Sequence, residues 1–339
     1  MNRALPTHTD GVVIHKSGEI TFANTPLQPM TDNKVLLRVH SGILNPSDVF
    51  FLAGLYPAPK ARPNTCGFEG SGVVIAAGKN FTAMLNKRVG FMSMHPKDQG
   101  SYGEFAVVEG NGCLPLPDNV SLEQGAGLFV NPYTALIFMM ICKKDKVKTI
   151  VHTGAAGSLG KFLVRLCAKE GITLINVVRK AEQVDMLKGL GAQVVLNCSL
   201  PTFEKDMRQC FKTHKPAAFF DCVSGDLGTK IFCAMPQNSS TYVYGALDMK
   251  PYELPAGELI FRPKILTGFW MSIWLNANPG VLPELNRLVL ENTNAGDYSL
   301  TISNRFKPAQ FQEAVEYYQA NQSKGKVLLQ TVSGPTPKL

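Results

Sequence analysis

Residues 149–168, Thr-Ile-Val-His-Thr-Gly-Ala-Ala-Gly-Ser-Leu-Gly-Lys-Phe-Leu-Val-Arg-Leu-Cys-Ala, constrain the fold of this chain more than any other stretch. A short β-branched run enters a glycine-rich turn, and the turn opens directly into helical apolar spacing (Leu159, Phe162, Leu163, Leu166). Strand, tight turn and helix in that order are what a dinucleotide fold needs, because the free N–H groups of the helix face a pyrophosphate. The G-x-G-x-x-G spacing is met in part. Ala155 takes the first position, while Gly157 and Gly160 take the second and third, where backbone approach and close packing need the smallest residue. A glycine triplet alone also fits an ordinary strand-to-helix turn.

The next strand adds information about the ligand. Residues 172–178, Ile-Thr-Leu-Ile-Asn-Val-Val, form a nearly continuous apolar run suited to burial on both faces of a parallel sheet. About 20 residues beyond the turn, an NAD-binding unit places Asp or Glu on the ribose hydroxyls. Here the strand runs out into Arg179 and Lys180. An acid at that place repels a 2′-phosphate, whereas these cations neutralise it, so the reading favours NADPH over NADH. The alternative is that both cations sit on a solvated surface.

With 339 residues the chain is long enough for two domains. Residues 1–125 carry short β-type runs (11–14, 34–39, 72–76, 88–92 and 104–108) separated by Gly, Pro and Asn, a pattern that suggests an irregular β-barrel-like domain. Residues 126–266 then alternate. Helix 122–142 leads to strand 149–152, a helix from 159, strand 173–178, helix 181–190 and strand 193–196. Helix 203–213, strand 217–222, helix 227–235 and strand 240–244 complete a doubly wound parallel sheet. The last part, 267–339, with strand 265–270 at its start, helices 283–292 and 308–319 and strand 327–331, is expected to return to the first domain.

No apolar run reaches the roughly 18 residues needed to span a bilayer, and the N-terminus does not look like a signal or transit peptide. The eight cysteines are scattered, several in apolar segments (Cys142, Cys167, Cys233), and read as buried thiols of a reducing compartment, the cytoplasm. The net charge of +8 suits an anionic ligand, but no lysine or arginine cluster resembles a nucleic-acid patch, and no membrane partner is expected.

A β-rich first domain, a central nucleotide domain and a returning C-terminus resemble the medium-chain dehydrogenase/reductase superfamily. Its zinc-independent reductases share Asn45-Pro-Ser-Asp48, Gly67-Phe-Glu-Gly70, Gly100-Ser-Tyr-Gly-Glu-Phe-Ala106, Asn131-Pro-Tyr-Thr-Ala135 and Ser323-Lys-Gly-Lys-Val327. Within them the chain looks most like the 2-enoyl thioester reductases, by Asn131–Ala135, Ile175-Asn-Val-Val-Arg179, Leu259-Ile-Phe261 and Gly268-Phe-Trp-Met-Ser-Ile-Trp274. Quinone reductases share many of these motifs. The resemblance implies an α/β protein with a GroES-like β-rich catalytic domain and a Rossmann nucleotide-binding domain.

Zinc alcohol dehydrogenases of this superfamily have a cysteine where Asn45 stands and a histidine where Phe68 stands, and neither residue here suits zinc. No metal is therefore expected, and His95 reads as an exposed loop residue. Without a Lewis acid, a phenol suits the task of protonating the enolate left by hydride addition. Tyr56, thirteen residues before Glu69, stands at the place of the catalytic tyrosine of the enoyl thioester reductases. It is the expected proton donor, or else it packs a loop beside Pro57. Asn45 either orients substrate or caps its turn.

The resemblance also implies cofactor contacts: Asn131 and Thr134 at the nicotinamide end, Ala156, Gly157, Ser158 and Leu159 at the pyrophosphate, and Arg179 with Lys180 at the 2′-phosphate. Tyr244, Gly245, Ala246 and Leu247 fall at a strand end; Phe269, Trp270, Met271 and Ser272 would line the nicotinamide pocket, with Lys326 reaching in. Phe269 and Trp270 equally fit a core, and Tyr244 a strand without ligand contact. The implied activity is NADPH-dependent reduction of an α,β-unsaturated acyl thioester or carbonyl. The alternatives are a quinone reductase and a non-catalytic member of the fold. A homodimer is implied, joined through the strand near residues 265–270, which would otherwise be a bare apolar edge.

Overall fold

The computed structural model describes residues 4–58, 60–93 and 95–331. In chain order the strands are β1 (His8–Ile14), β2 (Ile20–Pro26), β3 (Lys34–Ile43), β4 (Asn64–Thr65), β5 (Glu69–Ala77), β6 (Arg88–Met92), β7 (Phe105–Glu109) and β8 (Cys113–Pro115). They continue with β9 (Thr149–Thr153), β10 (Thr173–Val178), β11 (Val194–Asn197), β12 (Ala218–Asp221), β13 (Ser240–Val243), β14 (Ile265–Gly268), β15 (Ile302–Phe306) and β16 (Lys326–Gln330). The chain divides into two compact units, one of Met1–Asn131 with Val289–Leu339 and one of Pro132–Leu288. The sequence reading cut the chain at 125/126 and 266/267. The second of those cuts would run through β14, which pairs in parallel with β13 from Ser240↔Ile265 to Val243↔Gly268.

The first unit holds a seven-stranded sheet, ordered β15-β16-β3-β5-β6-β8 with β7 also on β3, and a three-stranded sheet ordered β2-β1-β4. The C-terminal strand β16 pairs antiparallel with β3, so the chain does return to this unit. Leu44, Phe51, Cys66, Phe68, Tyr102, Val327 and Leu329 share one apolar cluster, against which Tyr56 packs. Each buried leucine, phenylalanine or valine among them stabilises the unit by about 1.5–3 kcal/mol.

The second unit is a six-stranded parallel sheet, ordered β11-β10-β9-β12-β13-β14. The strand order reverses between β9 and β12, and ligands bind beyond the carboxyl ends at such a switch point. Val151, Ile175, Val177 and Phe219 cover one face together with Phe203, Met207, Phe211, Ile231 and Met235. The helix Ser158–Glu170 buries Leu159, Phe162, Leu163, Leu166 and Cys167, the stripe that its sequence spacing predicts. It stops at Gly171, whose φ of 64° is the left-handed conformation of a glycine C-cap.

Three expectations need correction. The single helix 122–142 is two, Leu122–Gly125 and Val130–Lys144. The Glu69 carboxylate accepts the N–H groups of Phe129 (3.1 Å) and Val130 (3.0 Å), donors a continuous helix would spend on its own carbonyls. The strand expected over 265–270 ends at Gly268, and a helix, Met271–Ala277, follows that the sequence reading did not contain. All eight cysteines are unpaired, but only Cys66, Cys113, Cys142 and Cys167 are buried, whereas Cys198, Cys210, Cys222 and Cys233 are half-buried.

Candidate functional site

In the first unit, the Asn45-Pro-Ser-Asp48 segment starts the helix Pro46–Leu52. Asp48 accepts the backbone N–H groups of Asn45 (3.0 Å) and Phe68 (2.9 Å), which fixes the start of the helix against the strand that carries Glu69. Asn45 is fully buried, and its amide is spoken for at both ends. Its Nδ2 donates to Glu69 Oε1 at 2.7 Å, and its Oδ1 accepts from Lys326 Nζ and from Asn131 Nδ2 at 3.4 Å. The structure thus brings Asn45, Asn131 and Lys326 together, with Glu69 as the member that the sequence reading used only as a landmark. Glu69 and Lys326 are both buried; desolvation pushes the Glu69 carboxyl up and pulls the Lys326 ammonium down to about 8, while each opposes the other's shift. Burial likewise pushes Asp48 up to about 7, against the two N–H donors that favour its ionised form.

Tyr56 belongs to the loop that follows the helix Pro46–Leu52. Its ring lies on Phe68, with centroids 5.4 Å apart and planes at 50°. The Phe68 ring also carries the Lys60 ammonium, 5.7 Å from its centroid. His95 is exposed, and with Asp98 and Glu109 it forms a group whose ligand atoms lie within 4.8 Å of one another. The Asp98 carboxylate of that group already accepts the N–H groups of Glu109 (3.0 Å) and His95 (3.1 Å), and Lys34 Nζ lies 3.8 Å away. Asp98 thus braces the loop through two backbone N–H groups and the Lys34 charge.

In the second unit, Gly154 opens the turn at φ 62°, and a Cβ there would press on Cys222 Sγ. Gly157 is the N-cap of helix Ser158–Glu170, and no side chain caps it. The leading N–H groups at Ser158 and Leu159 therefore face outward at the positive end of the helix dipole, which fits a pyrophosphate. The N–H of Gly157 is already donated to the Gly154 carbonyl at 3.0 Å, so that one expected donor is used inside the turn. A Cβ on Gly160 would collide with the Ala155 carbonyl oxygen, which accounts for glycine there. Ala156 and Leu159 are buried beneath the turn.

Arg179 and Lys180 are exposed at the end of β10. Lys180 Nζ lies 3.6 Å from Glu182, so part of its charge is met locally. The Arg179 carbonyl accepts Ser199 Oγ at 2.6 Å, which latches the β11 loop to the same corner. Tyr244 turns its hydroxyl to His152 Nε2 at 2.7 Å and its ring edge to Phe138. Gly245, Ala246 and Leu247 follow along Cys222, where the Leu247 N–H reaches the Cys222 carbonyl at 3.0 Å. Phe269 packs on Phe138 (5.0 Å) and Met271 receives Thr134 Oγ1 at 3.6 Å, so both are buried against the helix Val130–Lys144. Trp270 and Ser272 flank the start of the short helix.

His152, wholly buried, was missed in the sequence. Burial pulls its pKa down to about 3, so the imidazole is neutral. Its only sequence signal is its place just before the glycine turn. Among the described residues no helix is long and apolar enough to cross a membrane.

Comparison with known proteins agrees with this geometry. Residues 31–118 match the alcohol dehydrogenase GroES-like domain. The Caenorhabditis elegans mitochondrial enoyl-acyl-carrier-protein reductase is 30% identical over 261 residues, 75% of this chain and 72% of that protein. A Mesorhizobium loti protein described as an NADPH:quinone reductase superposes with a TM-score of 0.86 at 30% identity, over 97% of this chain and 100% of its own. Etr1p, solved with NADP and crotonyl-CoA, shares the fold with a TM-score of 0.79 at 20% identity, over 95% and 99% of the two chains.

Proposed function

The chain belongs to the medium-chain dehydrogenase/reductase superfamily, in the zinc-independent group of enoyl thioester reductase- and quinone reductase-like proteins, and from that premise we propose an NADPH-dependent reductase of α,β-unsaturated thioesters or carbonyls. The observation that carries this reading is the uncapped start of helix Ser158–Glu170 at the switch point of the parallel sheet, with the exposed Arg179 and Lys180 at the next strand end. Ser158 and Leu159 would hold the pyrophosphate through backbone N–H groups, and Arg179, more than the partly paired Lys180, would hold the 2′-phosphate. Bound NADPH supplies hydride.

Tyr56 does the protein's own chemistry in this account. With a thioester substrate, hydride at the β-carbon leaves an enolate, and the Tyr56 hydroxyl gives its proton to the α-carbon. Solvent then returns a proton to the phenolate, so one proton and one hydride are consumed per double bond reduced. Asn45, closed into its bonds with Glu69 and Lys326, shapes the interior next to this chemistry. The quinone reductase reading rests on the Mesorhizobium loti match, and a quinone needs no dedicated proton donor. Crotonyl-CoA and a simple benzoquinone, each assayed with NADPH, separate the two. Faster turnover of crotonyl-CoA supports the proposal, and turnover of benzoquinone alone overturns it.

We further assign a homodimer joined along β14, the edge of the parallel sheet, where Ile265 is 57% exposed. The unpaired thiols favour a reducing location, the cytoplasm; import into mitochondria, the location in the enoyl reductase relatives' names, would overturn that placement.

A further inference from the structure

The segment from Ala53 to Pro63 carries Tyr56, and several of its described residues face solvent: Leu55 is 60% exposed, and Ala53, Gly54 and Pro57 are exposed as well. Two side chains of the segment meet the same buried ring. Tyr56 packs on Phe68, and four residues later Lys60 places its ammonium over Phe68. The ammonium, set below the surface of a half-buried residue, donates to Ser93 Oγ and, at 3.4 Å, to the Asp98 carbonyl. Ser93 in turn gives its N–H to the Phe68 carbonyl at 2.7 Å, and Ala61 gives its own to Pro96 at 2.8 Å. A closed circuit results, from Lys60 to Ser93 to Phe68 to Tyr56. A lysine in a proline-rich loop would ordinarily extend into water.

We propose that Lys60 is a positioning residue for Tyr56: its ammonium fastens the loop to Ser93 and the Asp98 turn, and so holds the phenol on Phe68 in the pose from which it donates. The proposal rests on the reading of Tyr56 as the proton donor. The anchoring charge is costly to bury, since desolvation pulls the lysine down to about 8 against the neighbouring Asp98, Cys66 and Asp48. A cation kept in such a place, with two oxygen acceptors aligned on it, is consistent with a structural duty. Displacement of a reacting group by about 1 Å costs up to about a hundredfold in rate, and loosening one anchor of a loop should cost less.

The test uses Lys60→Met, which keeps the stem and removes the donors, Lys60→Arg, which keeps charge and donors, and Ser93→Ala, which removes one acceptor without touching the loop. Lys60→Met should lower kcat for crotonyl-CoA about tenfold and leave the KM for NADPH within about twofold. Lys60→Arg should restore most of the loss, and Ser93→Ala should give a smaller loss in the same direction. In a Tyr56→Phe background, Lys60→Met should add less than about twofold, since the group it positions is gone. Without cofactor, hydrogen–deuterium exchange over residues 54–61 should quicken in Lys60→Met and return toward wild type in Lys60→Arg. Unchanged kcat and exchange in Lys60→Met, or a loss that multiplies in full with Tyr56→Phe, would overturn the proposal. Full turnover by Tyr56→Phe alone would instead sink the proton-donor reading, and the exchange data would still judge Lys60 as the anchor.

Discussion

Asn45 shows how far residue identity can determine chemistry here. Its amide is locked between a buried carboxylate and a buried ammonium, an arrangement that holds the polypeptide together where a zinc-dependent relative would bind metal. At the cofactor end, Arg179 has the freer charge of the two cations, because Lys180 is shared with Glu182. Arg179→Asp should therefore raise the KM for NADPH at least about tenfold and change that for NADH little; equal effects in steady-state assays with both cofactors would refute the assignment. His152 gives a stability prediction. Its folded pKa, about 3, lies below its ordinary 6.5, so its contribution is complete above pH 6.5 and declines as pH falls toward 3. Between pH 7 and pH 5 the wild type should lose about 2 kcal/mol more than His152→Gln in denaturant unfolding; parallel profiles would contradict this. Arg179 and Tyr56 were singled out as candidates because motifs define their places. Lys60 and Glu69 were not, since nothing in a sequence distinguishes a charge drawn inside from one left in water.

At the scale of elements, alternation and glycine carried most of the information. The parallel sheet was legible because its strands are short apolar runs set between amphipathic helices. The break between Leu122–Gly125 and Val130–Lys144 was hidden because its cause, Glu69, lies about 60 residues away in sequence. Strand β15 was hidden as well: its residues, Ile302–Phe306, are only half-buried or exposed and carry little apolar period. The glycine turn allows a direct test. Gly160→Ala should meet the Ala155 carbonyl oxygen and force the turn apart, lowering stability by about 1–3 kcal/mol and weakening NADPH binding. Wild-type melting and wild-type affinity in a fluorescence titration would show that the turn has more room than this geometry allows.

For the whole molecule, the proposed function divides between the two units: one presents an oriented helix terminus and two cations, and the other a phenol packed on the Phe68 ring. The proposed dimer concerns the edge of the parallel sheet. Ile265→Lys on β14 should shift the protein from dimer to monomer in light-scattering chromatography, and a dimer that persists would move the interface elsewhere. The claim on which the rest depends is that Tyr56 supplies the proton for a reduction driven by NADPH. Turnover of crotonyl-CoA by wild type and Tyr56→Phe, with NADPH affinity measured on the same preparations, tests it most directly. The account predicts a loss of at least about a hundredfold in kcat with NADPH affinity retained; undiminished turnover in the variant would contradict it.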